Sequence, residues 1–255
     1  CLTDVVKKAI GVFASLFGPM TYALYVYTSA LASKKSNVCF IRVLALSAGR
    51  AHFLDRLLTN DPANLLTAPA RPGALDRLPG AGQRGEFLRL MSKLRDIQGK
   101  DAHFAICFTS ALPGEGCSTM AAQFACAVAQ SGAGEKVLLI DGNLRHPNLH
   151  ELLEVDDADG VLDVCMAGVP ADQAIQSTEL EDLDVLTAGN RNQSPNPDFL
   201  NPLRFRDLIR SLVTQYDLVV VDAPPVAMGT AATHLSKEDA ATLLVIQASQ
   251  TRREV

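Results

Sequence analysis

Ser110-Ala111-Leu112-Pro113-Gly114-Glu115-Gly116-Cys117-Ser118-Thr119 is the stretch whose reading decides the fold. Ahead of it runs Ala102-His103-Phe104-Ala105-Ile106-Cys107-Phe108-Thr109, mostly apolar and of strand length. Behind it, Met120, Phe124 and Val128 recur at the spacing of one helix face. Strand, glycine turn and helix form the frame of a phosphate-binding loop, in which backbone N–H groups and a helix N-terminus face an anion. That motif wants a lysine before the Ser/Thr pair to reach the β- and γ-phosphates. Here the residue is Cys117.

Outward from the loop, apolar strands alternate with helical stretches. Lys136–Asp141 and Asp217–Asp222 are buried strands that end in an acid, and 183–189 and 241–246 are further strands. A helix spans 201–214. Near-continuous apolar strands between helices predict an α/β fold, a parallel sheet with helices on both faces. Ligands on such sheets bind at the carboxyl ends of the strands, where the loop, Asp141 and Asp222 all fall. Either aspartate alone reads as a turn or helix cap; beside the loop they read as metal partners, with the Ser118 hydroxyl on Mg²⁺.

Upstream, Glu86 to Ile97 is a helix whose stripe is Phe87, Leu90, Met91, Leu94 and Ile97. A Pro- and Gly-rich linker covers 61–85 and holds the domain boundary, so the loop-bearing domain is 86–255. The N-terminal region, 1–60, carries an uncharged segment over 9–33 with lysines on both flanks. Its length suits one bilayer crossing, with Gly18-Pro19 favouring instead two buried helices. Helix and strand stay open for the first half of 38–58. Beginning at Cys1 rather than Met and stopping at Val255, the chain reads as a fragment.

Over 255 residues the formal net charge is −5, no footprint for nucleic acid. The six cysteines show no zinc spacing and several lie inside apolar runs, which suits reduced, buried thiols. Cys117, placed at a helix N-terminus, is expected to have a lowered thiol pKa and to alkylate faster than Cys107 or Cys126.

From about Glu86 onward the sequence resembles the bacterial tyrosine kinases of capsule and exopolysaccharide synthesis, relatives of the MinD/ParA-type P-loop ATPases. The resemblance rests on Pro113–Thr119 (the family's P-G-E-G-K-S-T) and on Val137–Pro147 (like V-L-L-I-D-A-D-L-R-R-P). Ser194–Leu200, Asp217–Val226 and Thr251–Val255 match further family segments in order. It implies nucleotide binding by Pro113, Gly114, Glu115, Gly116, Cys117, Ser118 and Thr119. It also implies metal contacts by Ser118, Asp141 and Asp222, catalysis at Asp141 and Asn143, and ATP or ADP with Mg²⁺ as ligands. Glu86 and Arg89 keep part of an E-x-x-R-x-x-R oligomerisation helix, whose last arginine is Ser92 here. The implied partners are a chain-length-determining polysaccharide co-polymerase and further copies of the chain, at the cytoplasmic face of the bacterial inner membrane. A family tyrosine cluster would lie past Val255.

Three departures cluster at the reaction centre: Cys117 for the lysine, Asn143 for the second aspartate of D-x-D, and Ala231 for a later aspartate. A lysine–phosphate contact is worth roughly 1.5–3 kcal/mol in binding. Phosphoryl transfer depends on positioned charge, so these losses favour a catalytically impaired regulator or scaffold. The alternatives are an active tyrosine autokinase or ATPase and a MinD/ParA-like positioning ATPase.

Overall fold

The computed structural model describes residues 21–29, 38–44, 81–98, 104–190, 200–228 and 240–247, with side chains for 84–96, 104–190, 200–228 and 240–245. The remainder of 9–33, Ser194 to Phe199, Ala231 and 251–255 lie outside the described residues.

Its centre is strand β3 (Phe104–Ser110), buried along its whole length. Parallel partners flank it, β7 (Leu218–Asp222) on one side and β8 (Ala240–Gln247) on the other. Beyond β7 come β4 (Val137–Asp141), also parallel, then β6 (Leu183–Leu186) and the two-residue antiparallel β5 (Gln176–Ser177). Residues of β3, β4 and β7 are buried throughout because helices cover both faces, as their unbroken apolar sequence requires.

One face is covered by α2 (Cys117–Ala129), which follows the loop directly. Alanines and cysteines let this helix sit low on the sheet, with Ala121, Ala125 and Ala127 fully buried. Phe124 fills the gap, its ring 5.3 Å from that of Phe108 and 5.9 Å, edge-on, from Phe87. Such ring pairs contribute beyond their buried area. Phe87 belongs to α1 (Ala81–Gln98), which starts five residues before the helix expected from its apolar stripe. Phe87, Leu90, Met91 and Leu94 are buried as the stripe predicts. Arg95 pairs with Glu135 at 3.0 Å, and Arg84 donates to Gln130, tying α1 to the end of α2.

The opposite face carries α5 (Pro202–Val213), capped by Asn201, whose side chain accepts from the N–H of Leu203 at 3.0 Å. Phe205, Leu208, Ile209 and Leu212 are its buried stripe, packed on Ala105, Cys107, Val219 and Val221. Two short helices, α3 (Leu149–Leu153) and α4 (Ala171–Ala174), and a π-helical turn at Asp163–Ala167 fill the connections after β4.

The sheet extends past β8. Strand β1 (Thr21–Ser29) runs parallel to β8, and β2 (Val38–Leu44) runs antiparallel to β1 at the edge. The described part of 9–33 is therefore strand, where a bilayer crossing at that length asks for helix. Among the described residues no helix is long and apolar enough to cross a membrane. The same pairing settles the first half of 38–58 as strand from Val38 to Leu44.

Candidate nucleotide and metal site

The loop leaves β3 at Ser110 and enters α2 at Cys117. Gly114 and Gly116 have φ of +82° and +84°, a region that strains a side chain although the space beside both is open. Gly116 is also the N-cap residue, and no side chain caps the helix. The loop is braced internally. Glu115 is buried, and its carboxylate accepts from the N–H of Leu112 at 2.8 Å, while the Ser110 hydroxyl donates to Leu112 O at 3.0 Å. So Glu115, one of the expected nucleotide contacts, turns inward to shape the loop. Pro113, Gly114, Gly116 and Thr119 are exposed on it and Ser118 is half-buried.

Behind the loop, β3 and β7 are locked at their carboxyl ends. Ala223 N–H donates to Phe108 O at 2.8 Å, and the Thr109 hydroxyl donates to Pro224 O at 2.8 Å. This holds Asp222 beside the first turn of α2. Asp141 is its register partner on β4. Gly142, next along, donates its N–H to Asp222 O at 2.7 Å, and a Cβ there would stand 2.8 Å from the same oxygen. The close approach of the two strand ends thus relies on the glycine.

The two aspartates are buried alike and bonded differently. Asp141 accepts from the N–H groups of Asn143, Asn148 and Leu149, each at 3.1 Å. It organises the turn after β4 and the start of α3. Asp222 has neither oxygen in a hydrogen bond. Its pKa is raised by burial, opposed by the neighbouring Ser118 and Cys117 side chains. Burial dominates all the same and lifts the Asp222 carboxyl to about 6. Asp141 rises to about 7 through burial and the charge of Asp222, with its three N–H donors opposing. Two buried carboxylates with one of them unsatisfied form a site that a cation would relieve. Asp222 and Ser118 fit Mg²⁺ on that ground.

Cys117 departs from expectation. Its side chain is buried, in the apolar cluster beneath α2, and its thiol points to Ala223 O at 4.0 Å. Burial first, then the neighbouring charge of Asp222, push its pKa well above the ordinary thiol value. A helix N-terminus would lower it, but desolvation beside a carboxylate prevails. Cys107 and Cys126 are likewise raised to about 12, chiefly by burial. Asn143 is half-buried with its side-chain oxygen unpartnered, so the D-x-D position holds an amide next to the braced Asp141. Glu86 and Arg89 lie on α1, away from this site, and pair with each other one turn apart.

A parallel sheet whose central strand feeds a glycine loop and helix, with acids at the adjoining strand ends, defines a P-loop α/β domain. No family model matches the chain. It is 36% identical over 151 residues to the tyrosine-protein kinase YwqD of Bacillus subtilis (strain 168), a match covering 59% of this chain and 62% of YwqD. The chain thus spans less than two thirds of that relative. Among solved structures, the VpsO kinase domain matches with 30% identity and a TM-score of 0.57, over 66% of this chain and 81% of that one. The chimerical protein CapA2B2 matches with 32% identity and a TM-score of 0.54, over 67% of this chain and 70% of that one. The chain belongs to the bacterial tyrosine-kinase family.

Proposed function

We propose that this chain is a tyrosine-kinase-like P-loop protein of bacterial exopolysaccharide or capsule biosynthesis and export, impaired in catalysis and acting as a regulator or scaffold. The observation that carries the reading is Cys117. Where the family places a lysine, a neutral thiol is buried and turned to β7, and it brings no positive charge to the phosphates. The loss of that ammonium weakens MgATP by about 10- to 150-fold on binding energetics alone. Asn143 withdraws a second charge. A chain-length-determining co-polymerase is the partner the family implies. Because β1 uses the second half of 9–33 within the sheet, we place the protein at the cytoplasmic face of the membrane through that partner. Self-association would use the outward face of α1, where Arg89, Ser92, Lys93 and Asp96 are exposed.

The second reading, an active autokinase or ATPase, draws support from the intact pair of Ser118 and Asp222. Calorimetry with MgATP separates the two. Weak or undetectable binding is the expected result. Tight binding with turnover by the unmodified protein would install the active enzyme instead.

A further inference from the structure

Gly142 differs in kind from the loop glycines. Its φ lies outside the left-handed region, so its backbone conformation is open to any residue. Space is what excludes a side chain. A Cβ there would meet Asp222 O at 2.8 Å, Val221 Cγ1 at 3.2 Å and Phe205 Cζ at 3.3 Å. The nearest of these is a backbone atom whose peptide is gripped from both sides. Asp222 O accepts the Gly142 N–H at 2.7 Å, and the next N–H along, that of Ala223, donates to Phe108 O at 2.8 Å. The main chain of Asp222 thus has a fixed seat between β3 and β4, while its carboxylate has no hydrogen bond. Where that carboxylate stands relative to the turn carrying Asn143 is set by how closely β4 and β7 join at Gly142. The family segment D-A-D has alanine at this place, where this chain reads Asp141-Gly142-Asn143.

We propose that Gly142 is a positioning residue for Asp222, drawing the ends of β4 and β7 closer together than the family's alanine allows. The inference rests on the nucleotide-site reading. It adds a departure of spacing to the departures of charge at Cys117 and Asn143. An alanine at 142 reaches ordinary contact only if the strand ends part, because Asp222 O cannot rotate aside as the end of a side chain would. Phe205, buried on α5, closes the remaining side with its ring. Active sites tolerate little displacement of their charged groups, so a change of strand spacing here is felt by the ligand even though Gly142 itself touches none.

Gly142→Ala in the full chain, with and without Cys117→Lys, tests the proposal. Without the lysine, amide hydrogen exchange followed by NMR should speed up by about tenfold or more at residue 142 and Ala223, relative to Val219 and Val220 of the same strand. A loss of global stability alone would speed all four together. Gly160→Ala, crowded against backbone at the end of β6, is the control for overpacking and should leave that ratio unchanged. In calorimetry, Cys117→Lys/Gly142→Ala should bind MgATP about threefold or more tighter than Cys117→Lys, because the family's spacing returns with its charge. Should the alanine not be tolerated, adding Phe205→Leu removes the ring contact and leaves the contact with Asp222 O, and the same two readouts apply. An unchanged exchange ratio, or a lysine variant that binds MgATP equally well with glycine and with alanine, overturns the inference and leaves the nucleotide-site reading standing. Failure of every lysine variant to bind MgATP would instead remove that reading, and the inference with it.

Discussion

Asp141 and Asp222 stand side by side at the ends of adjacent parallel strands, and the carboxylate of the first accepts three backbone N–H groups while that of the second accepts none. The difference assigns them different work. Asp141 shapes the turn that carries Asn143, and Asp222 is left available to a cation.

A pH dependence of stability follows. Both carboxyls have folded-state pKa values above the unfolded value near 4, about 7 for Asp141 and about 6 for Asp222. Between those limits the folded state binds more protons than the unfolded one, so their contribution to stability is present at low pH and is lost as pH rises to about 7. Asp222→Asn removes the unsatisfied charge and should stabilise the metal-free protein by about 3 kcal/mol at pH 7.5, and by about half as much at pH 5. Urea unfolding at the two values decides it. An equal effect at both would show that Asp222 is not held uncomfortably charged.

Cys117 should alkylate slowly in the native protein at neutral pH. Its thiol is neutral and buried, as are those of Cys107 and Cys126. Only thiolate attacks, and its fraction is small at such values. Mass-spectrometric labelling of the metal-free protein should give comparable rates for Cys117 and Cys126. Rapid, selective modification of Cys117 would contradict the buried orientation.

Gly160 offers a test of packing at the carboxyl end of β6. A Cβ there would lie 2.2 Å from Gly189 N, 2.3 Å from Thr187 O and 2.6 Å from the Ala188 carbonyl carbon. These are backbone atoms, and Val161 and Leu162 N–H groups are bonded to Thr187 O and Ala188 O beside them. Gly160→Ala should therefore cost about 2–3 kcal/mol, from overpacking rather than from backbone strain. A thermal midpoint within a degree of the parent would show that the two segments part without penalty.

Much of this architecture was legible in the chain itself. Strands β3, β4 and β7 are apolar without interruption because both faces are covered, and α1 shows its stripe because only one face is. Loop and strand-end acids follow from residue type and position. What stayed hidden depends on distant partners. The strand at Thr21–Ser29 is set by pairing with β8, more than two hundred residues away, whereas its lack of charge and its length suit a bilayer equally well. Asp141 is tied by N–H groups seven and eight residues on, which no motif announces. The direction of the Cys117 thiol is likewise invisible at helix spacing, since it depends on the closeness of β7.

Repair of the loop is the decisive experiment on nucleotide chemistry. Cys117→Lys returns an ammonium to the position from which the family's lysine reaches the phosphates, and the glycines, Ser118 and Asp222 keep the geometry it needs. MgATP affinity should rise by about tenfold or more in calorimetry. The same ammonium beside Asp222 should lower that carboxyl's pKa and flatten the stability loss between pH 5 and 7.5. Two independent readouts thus report one substitution. Phosphoryl transfer should stay low, because Asn143 still places an amide where the D-x-D segment has its second acid, and Ala231 remains. Adding Asn143→Asp and Ala231→Asp should be required before hydrolysis rises. Turnover restored by the lysine alone would locate the whole impairment at Cys117. A lysine variant that flattens the pH profile yet gains no affinity would mean that the charge arrives and the phosphate cradle is what has been lost.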